Sequence, residues 1–239
     1  MLALPEDSTP VTTRELAPGL WLAEHPLKAM GMEVGRRMSV VRLGGGGLWL
    51  HSVCRLTPGI QGWLEGLGDV RFVVSPTRTH SRWMEDYRAA YPDALLVAAP
   101  GLAAHRPDLV FDRTLGDAPD PAWAAKLDQL EFPIRGEYRE IVFLHRSTGT
   151  LILADVCFNM PAGRGVMTSM AARVLGYHRR LGVSRLLRAL IADREAAAEA
   201  ARRILAWEFD RVIVSHGDVV ESGGHAAVER AFAWLLAPG

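Results

Sequence analysis

Three side chains stand where apolar, strand-like runs give out: His80 after Arg71 to Val74, Asp155 after Thr150 to Ala154, and His216 after Arg211 to Ser215. Two imidazoles and one carboxylate can hold Zn²⁺ or Fe²⁺ while leaving coordination positions for water. Taken singly, each has an ordinary role, the histidines bonding their surroundings and the aspartate capping a turn or helix. Their shared placement is the signal. In α/β proteins, polar loops at the carboxyl ends of buried strands are where sites form. The spacing assigns His80, Asp155 and His216 as candidate metal ligands and assigns no catalytic residue.

The elements around them follow from pattern. Ser75-Pro76 stops the strand that begins at Arg71, because proline lacks a ladder N–H and biases the preceding residue to an extended backbone. Trp83, Tyr87 and Ala90 or Tyr91 then recur at helical spacing up to Pro92-Asp93, before the apolar run Ala94 to Ala99. Upstream, Leu20 to Leu27, Met38 to Leu43 and Leu48 to Val53 are strand candidates. The four glycines Gly44 to Gly47 make a hairpin connection rather than a phosphate loop, because strand-like sequence and not a helix follows them. Pro58 to Leu67 reads as a short helix. Residues Pro100 to Pro121 read as a surface excursion with a short strand at Leu109 to Phe111, and Trp123 to Leu130 as a helical turn. Glu140 to Leu144 and Thr150 to Ala154 form a strand pair. Val166 to Trp207 is helical with a break near Gly182, Asp193 is an N-cap, and Ala226 to Leu236 is a closing amphipathic helix.

Length and composition bound the rest. With 239 residues, 49% hydrophobic and 23% charged, the chain can bury a sizeable core. We expect one domain over 1–239, with residues 1–17 as an N-terminal arm. Lysine and arginine balance aspartate and glutamate at 27 each, so no net field holds the chain on nucleic acid or an anionic membrane. The Arg/Ala-rich stretch 164–203 carries interleaved acids and reads as solvated helix faces. Cys54 and Cys157 read as buried free thiols, which favours a cytoplasmic setting. No leader pattern and no membrane-length apolar run is present. The expected partner is a small-molecule substrate or ligand, with no nucleic acid and no membrane.

In order and context, these loops resemble the metallo-β-lactamase fold superfamily from about Leu16 onward. The resemblance implies an α/β chain folded as a four-layer αββα sandwich. The superfamily's motif is H-x-H-x-D-H after a strand, then a distant His, a bridging Asp and a final His. Ser75-Pro76-Thr77-Arg78-Thr79-His80 keeps its last position, with Ser75, Thr77 and Thr79 where His, His and Asp stand. No histidine falls near Arg135-Gly136. Asp155 in LILADVCFN matches the bridging Asp, and His216 in VIVSHGD matches the final His. The first metal site is thereby dismantled and the second keeps three protein ligands. The implied activity is at most mononuclear, metal-activated hydrolysis of a small ester-like or anionic substrate with one Zn or Fe ion. The alternatives are a metal-free relative that binds a small molecule or protein, and a redox protein using the same ligands for Fe²⁺.

The remaining candidates are minor. His51 faces either core or site, and His145 is expected to be solvated beside a hairpin turn. His25, His105, His178 and His225 are expected to be structural or exposed. Asp218 either bonds a ligand imidazole or caps a turn. Arg78, Arg82 and Arg135 are the arginines placed to steer an anionic substrate.

Overall fold

Glycine and proline punctuation divides the chain into two runs of strands, each followed by helices. The computed structural model describes residues 11–29 and 31–237. Its first run comprises β1 (Thr12–Ala17), β2 (Leu20–His25), β3 (Lys28–Ala29), β4 (Met32–Glu33), β5 (Arg36–Arg42) and β6 (Leu48–His51). Helix α1 (Pro58–Leu67) follows, then β7 (Val70–Ser75), α2 (Met84–Ala90), β8 (Leu95–Ala98), α3 (Leu102–His105) and β9 (Arg113–Thr114). The second run holds β10 (Leu127–Arg135), β11 (Tyr138–His145) and β12 (Thr150–Ile152), then α4 (Val166–Leu175), α5 (Arg185–Leu190) and α6 (Arg194–Leu205), and last β13 (Arg211–Ile213) and α7 (Gly224–Leu236).

One sheet has the order β1-β2-β5-β6-β7-β8-β9, the other β10-β11-β12-β13, with β3 and β4 as a separate ribbon. The pairs β6-β7 and β12-β13 are parallel, so the carboxyl ends of β6 and β7, and those of β12 and β13, share an edge in each sheet. Trp49, Phe72, Val74, Phe143, Ile152 and Ile213 interdigitate between the sheets. Ile60, Leu64, Met84 and Tyr87 of α1 and α2 cover the outer face of the first sheet. Leu187, Ala201 and Phe232 of α5, α6 and α7 cover that of the second. The result is the four-layer αββα sandwich.

Helix starts follow their caps. Thr57 Oγ1 accepts from Ile60 N at 3.2 Å with Pro58 at the first helical position, and Asp193 Oδ1 accepts from Ala196 N at 2.9 Å. Several expectations are corrected. The region expected as a helical turn at Trp123 to Leu130 is a turn that gives way to β10, and the short strand lies at Arg113–Thr114 rather than Leu109 to Phe111. Of the expected arm, residues 1–10 lie outside the described residues, and Thr12–Ala17 is an edge strand paired with β2. His145 is buried, not solvated, with Nδ1 2.8 Å from Thr148 Oγ1. Among the described residues no helix is long and apolar enough to cross a membrane.

Candidate metal centre

The strand ends bring His80, Asp155 and His216 together, with one ligand atom from each lying within 4.8 Å of the others. His80 Nε2 is 3.1 Å and His216 Nε2 3.3 Å from the same oxygen, Asp155 Oδ1. A tetrahedral ion with bonds of about 2.0–2.1 Å has ligand edges of about 3.3 Å, so the two edges that meet at Asp155 Oδ1 are of the length one small divalent cation needs.

The outward nitrogens are held by fixed partners. His216 Nδ1 lies 2.7 Å from the Gly35 carbonyl oxygen. A carbonyl only accepts, so Nδ1 carries the hydrogen and Nε2 of the neutral ring turns a lone pair on Asp155. A lone pair 3.3 Å from a carboxylate oxygen needs a cation between them, either a proton or a metal. His80 Nδ1 lies 2.6 Å from Ser52 Oγ, which also accepts from Ser215 Oγ at 3.2 Å. Ser52 sits at φ 59°, a left-handed conformation that costs a residue with a Cβ and here aims its hydroxyl at the histidine. After His216 the chain turns through Gly217 at φ 96°, where a Cβ would fall 2.1 Å from the Asn159 carbonyl oxygen, so only glycine fits.

Asp155 is held at both ends. Thr79 Oγ1 donates to Oδ2 at 2.6 Å, and Thr77 Oγ1 pairs with Thr79 Oγ1 at 2.5 Å. These hydroxyls occupy the loop positions where the superfamily motif has His and Asp. Beneath Asp155, the fully buried Glu140 accepts the N–H groups of Ala154, Asp155 and Val156, each at 2.7 Å. Burial and the Asp155 charge push the Glu140 carboxyl up to about 8, against those three donors. Burial also raises Asp155, but His80 and His216 hold it well below the ordinary range. Burial and Arg36 lower His80 to about 4, against the pull of Asp155. Burial and His80 lower His51 further. His51 turns into the core, stacked 5.6 Å from Trp49 and edge-on to Phe143.

Other candidates fall away. Asp218 is exposed, and it is the Gly35 carbonyl, not Asp218, that holds His216. Arg78, Arg82 and Arg135 are exposed, with Arg78 lying over the Tyr138 ring at 3.9 Å. The residues that sequence reasoning missed are Ser52, Glu140 and Arg36. Arg36 is buried, with Nε and Nη2 lacking a hydrogen-bond partner, and burial lowers it to about 10. An arginine opening a buried strand was the available signal.

A family model described as Domain of unknown function (DUF4336) matches residues 19–180, more than half of the chain. The chain belongs to the DUF4336 family. The DUF4336 match takes in His80 and Asp155 and ends before His216. No curated protein matches the chain in sequence. Among solved structures it is similar to a metallo-beta-lactamase from Pontibacter korlensis, at 13% identity and TM-score 0.67, covering 96% of this chain and 100% of that one. It is similar to the metallo-beta-lactamase FIM-1 from Pseudomonas aeruginosa in its mono-zinc form, at 16% identity and TM-score 0.64, covering 96% and 98%. A flavo di-iron protein from Thermotoga maritima matches at 10% identity and TM-score 0.65, over 95% of this chain and 62% of that one. This DUF4336 chain therefore has the metallo-β-lactamase fold.

Proposed function

We propose that the protein is a mononuclear metal-dependent hydrolase of a small ester-like or anionic substrate, with His80, Asp155 and His216 holding one Zn or Fe ion. The observation that carries this reading is the convergence of two Nε2 atoms on Asp155 Oδ1, with the His216 ring oriented by the bond from Nδ1 to the Gly35 carbonyl oxygen. When bound, the ion would polarise the scissile group and bring the pKa of water towards about 7. The chain's own residues do the positioning. Ser52 fixes the His80 ring, Thr79 occupies Asp155 Oδ2, and Glu140 anchors the backbone of the Asp155 turn. With Oδ2 taken by a hydroxyl and Ser75, Thr77 and Thr79 in the motif, the site is reduced to one ion. The FIM-1 structure shows that a protein of this fold can be held in a mono-zinc form. Two buried free thiols, Cys54 and Cys157, support a cytoplasmic setting.

A second reading, a metal-free binding module, rests on Arg36, whose buried positive charge opposes a cation nearby. Metal analysis of protein purified without a histidine tag, followed by Zn²⁺ titration of the stripped chain, decides between them. We expect one ion per chain, lost in His216→Ala. Two tightly held ions, or binding that survives both His80→Ala and His216→Ala, would show that the ligands are misplaced. No binding at all would favour the module, and bound iron with a redox spectrum the electron-transfer alternative.

A further inference from the structure

A cavity of about 300 Å³ opens beside the cluster, lined among others by Glu24, Gly35, Arg36, Arg37, Arg164 and Ser215. It adjoins the candidate metal centre through shared residues. Gly35 supplies the carbonyl that holds His216, and Ser215 precedes His216 in the chain. Its charges do not cancel. Arg37 spends Nε and Nη2 on Glu24 Oε1, at 3.1 and 2.9 Å, and Nη1 on the Val214 carbonyl oxygen, so the one acid of the lining is neutralised by the one paired arginine. Among the described residues Arg36 and Arg164 make no ion pair. The Arg36 guanidinium lies 5.4 Å from the Trp83 ring centroid, and its unpartnered atoms are Nε and Nη2. Those two N–H positions form the edge of a guanidinium that grips a carboxylate or phosphate with two parallel bonds. Burying a guanidinium with that edge unused is costly, unless the edge serves a ligand.

We propose that this cavity is an oxyanion subsite, in which Arg36, assisted by Arg164, binds the carboxylate or phosphate group of the substrate whose reacting bond lies at the cluster. The proposal rests on the functional reading above for its link to catalysis, but anion binding itself needs no metal. The Nε–Nη2 edge is closed to solvent, so anion binding requires the Arg36 side chain to turn towards the cavity. The three arginines suggested by the sequence are not part of it.

The test is calorimetric titration of the full chain, stripped of metal by chelation, with inorganic phosphate and separately with acetate, against chloride at matched ionic strength. One saturable oxyanion per chain is expected. Arg36→Gln should weaken it at least tenfold and Arg164→Gln several-fold, while Arg78→Ala leaves it unchanged. Because Arg36→Gln removes a buried charge and can alter folding, Arg164→Gln provides an independent arm at a half-buried position. Tighter phosphate identifies a phosphorylated substrate, and tighter acetate a carboxylate one. Absence of saturable binding for both anions, or binding unchanged in both arginine variants, would overturn the subsite. Anion binding in a chain that takes up no metal would leave the subsite standing and sink the hydrolase. Metal uptake without anion binding would do the reverse.

Discussion

Replacing Glu140 tests how the Asp155 turn is held. Glu140→Leu keeps a side chain of similar size and strands three buried N–H groups, those of Ala154, Asp155 and Val156, which now bond the carboxyl at 2.7 Å each. A stranded buried donor costs about 1–3 kcal/mol, and the buried carboxyl removed with it offsets part of that. The net loss should be about 3–5 kcal/mol, a large share of the roughly 5–15 kcal/mol of a typical domain. Glu140→Gln retains one acceptor oxygen, enough for Asp155 N and Val156 N together, so it strands one donor and should cost about 1–2 kcal/mol. Urea unfolding at pH 5.5 measures both. There the wild-type carboxyl, raised to about 8, is mostly neutral and comparable with glutamine. The pH dependence has a definite sign. A carboxyl raised from 4.5 to about 8 on folding adds stability that is fully present below 4.5 and lost as pH rises through 8, by about 5 kcal/mol at most. Glu140→Gln lacks that loss, so the gap between variant and wild type should close, or reverse, as pH rises. Leu and Gln variants of equal stability would refute the count of donors. A gap that stays constant from pH 5 to 9 would show that the three N–H groups keep the carboxylate ionised throughout.

Ser52→Ala should cost about 1–3 kcal/mol by removing the partner of the buried His80 Nδ1, and should weaken Zn²⁺ binding about 10–100-fold, both read by titration and denaturant unfolding. Burial lowers His145 to about 4, so its contribution is intact above 6.5 and lost as pH falls from 6.5 towards 4. That acid limb, at most about 3 kcal/mol, should vanish in His145→Gln when unfolding midpoints are compared across that window. Burial pushes Cys54 up to about 12 and Cys157 higher still, so a thiol reagent should count no reactive cysteine in the native chain and two in denaturant.

The sequence carried the site further than its supports. His80, Asp155 and His216 were legible because each ends a run of β-branched and apolar residues, and that local contrast survives without tertiary knowledge. Glu140 was not legible, since an acid flanked by Arg139 and Ile141 in an alternating strand reads as a solvent-facing position. Only the fold places the Asp155 turn against it. Arg36 was hidden for a similar reason, as arginine is rarely buried, and attention went to loop arginines that prove exposed. The β10 error has its own cause. Trp123, Leu127 and Leu130 fall at helical spacing, which masked the alternation of Leu130, Phe132 and Ile134. Pro133, which suggests a non-strand, is accommodated because β10 is the edge of its sheet.

The bonds at this end of the molecule also tie the two sheets to each other. Arg37 to the Val214 carbonyl, Ser215 to Ser52, His216 to Gly35, His80 and Thr79 to Asp155, and Ile141 N to the Pro76 carbonyl all cross from one half to the other. The interface behind them is built of apolar side chains, whose attraction has no preferred direction. The sandwich is therefore laced along this rim, with further ties from Arg14 to Glu221 and from Asp117 to Glu131 N and Arg203, and its apolar interior is pressed together between them. Sliding of one sheet over the other is opposed most by the many bonds of that rim, so we expect the cluster to lie where relative motion is small. Amide exchange by sub-global opening should begin at the far ends of β6 and β12, near Leu48 and Thr150, and reach the cluster last.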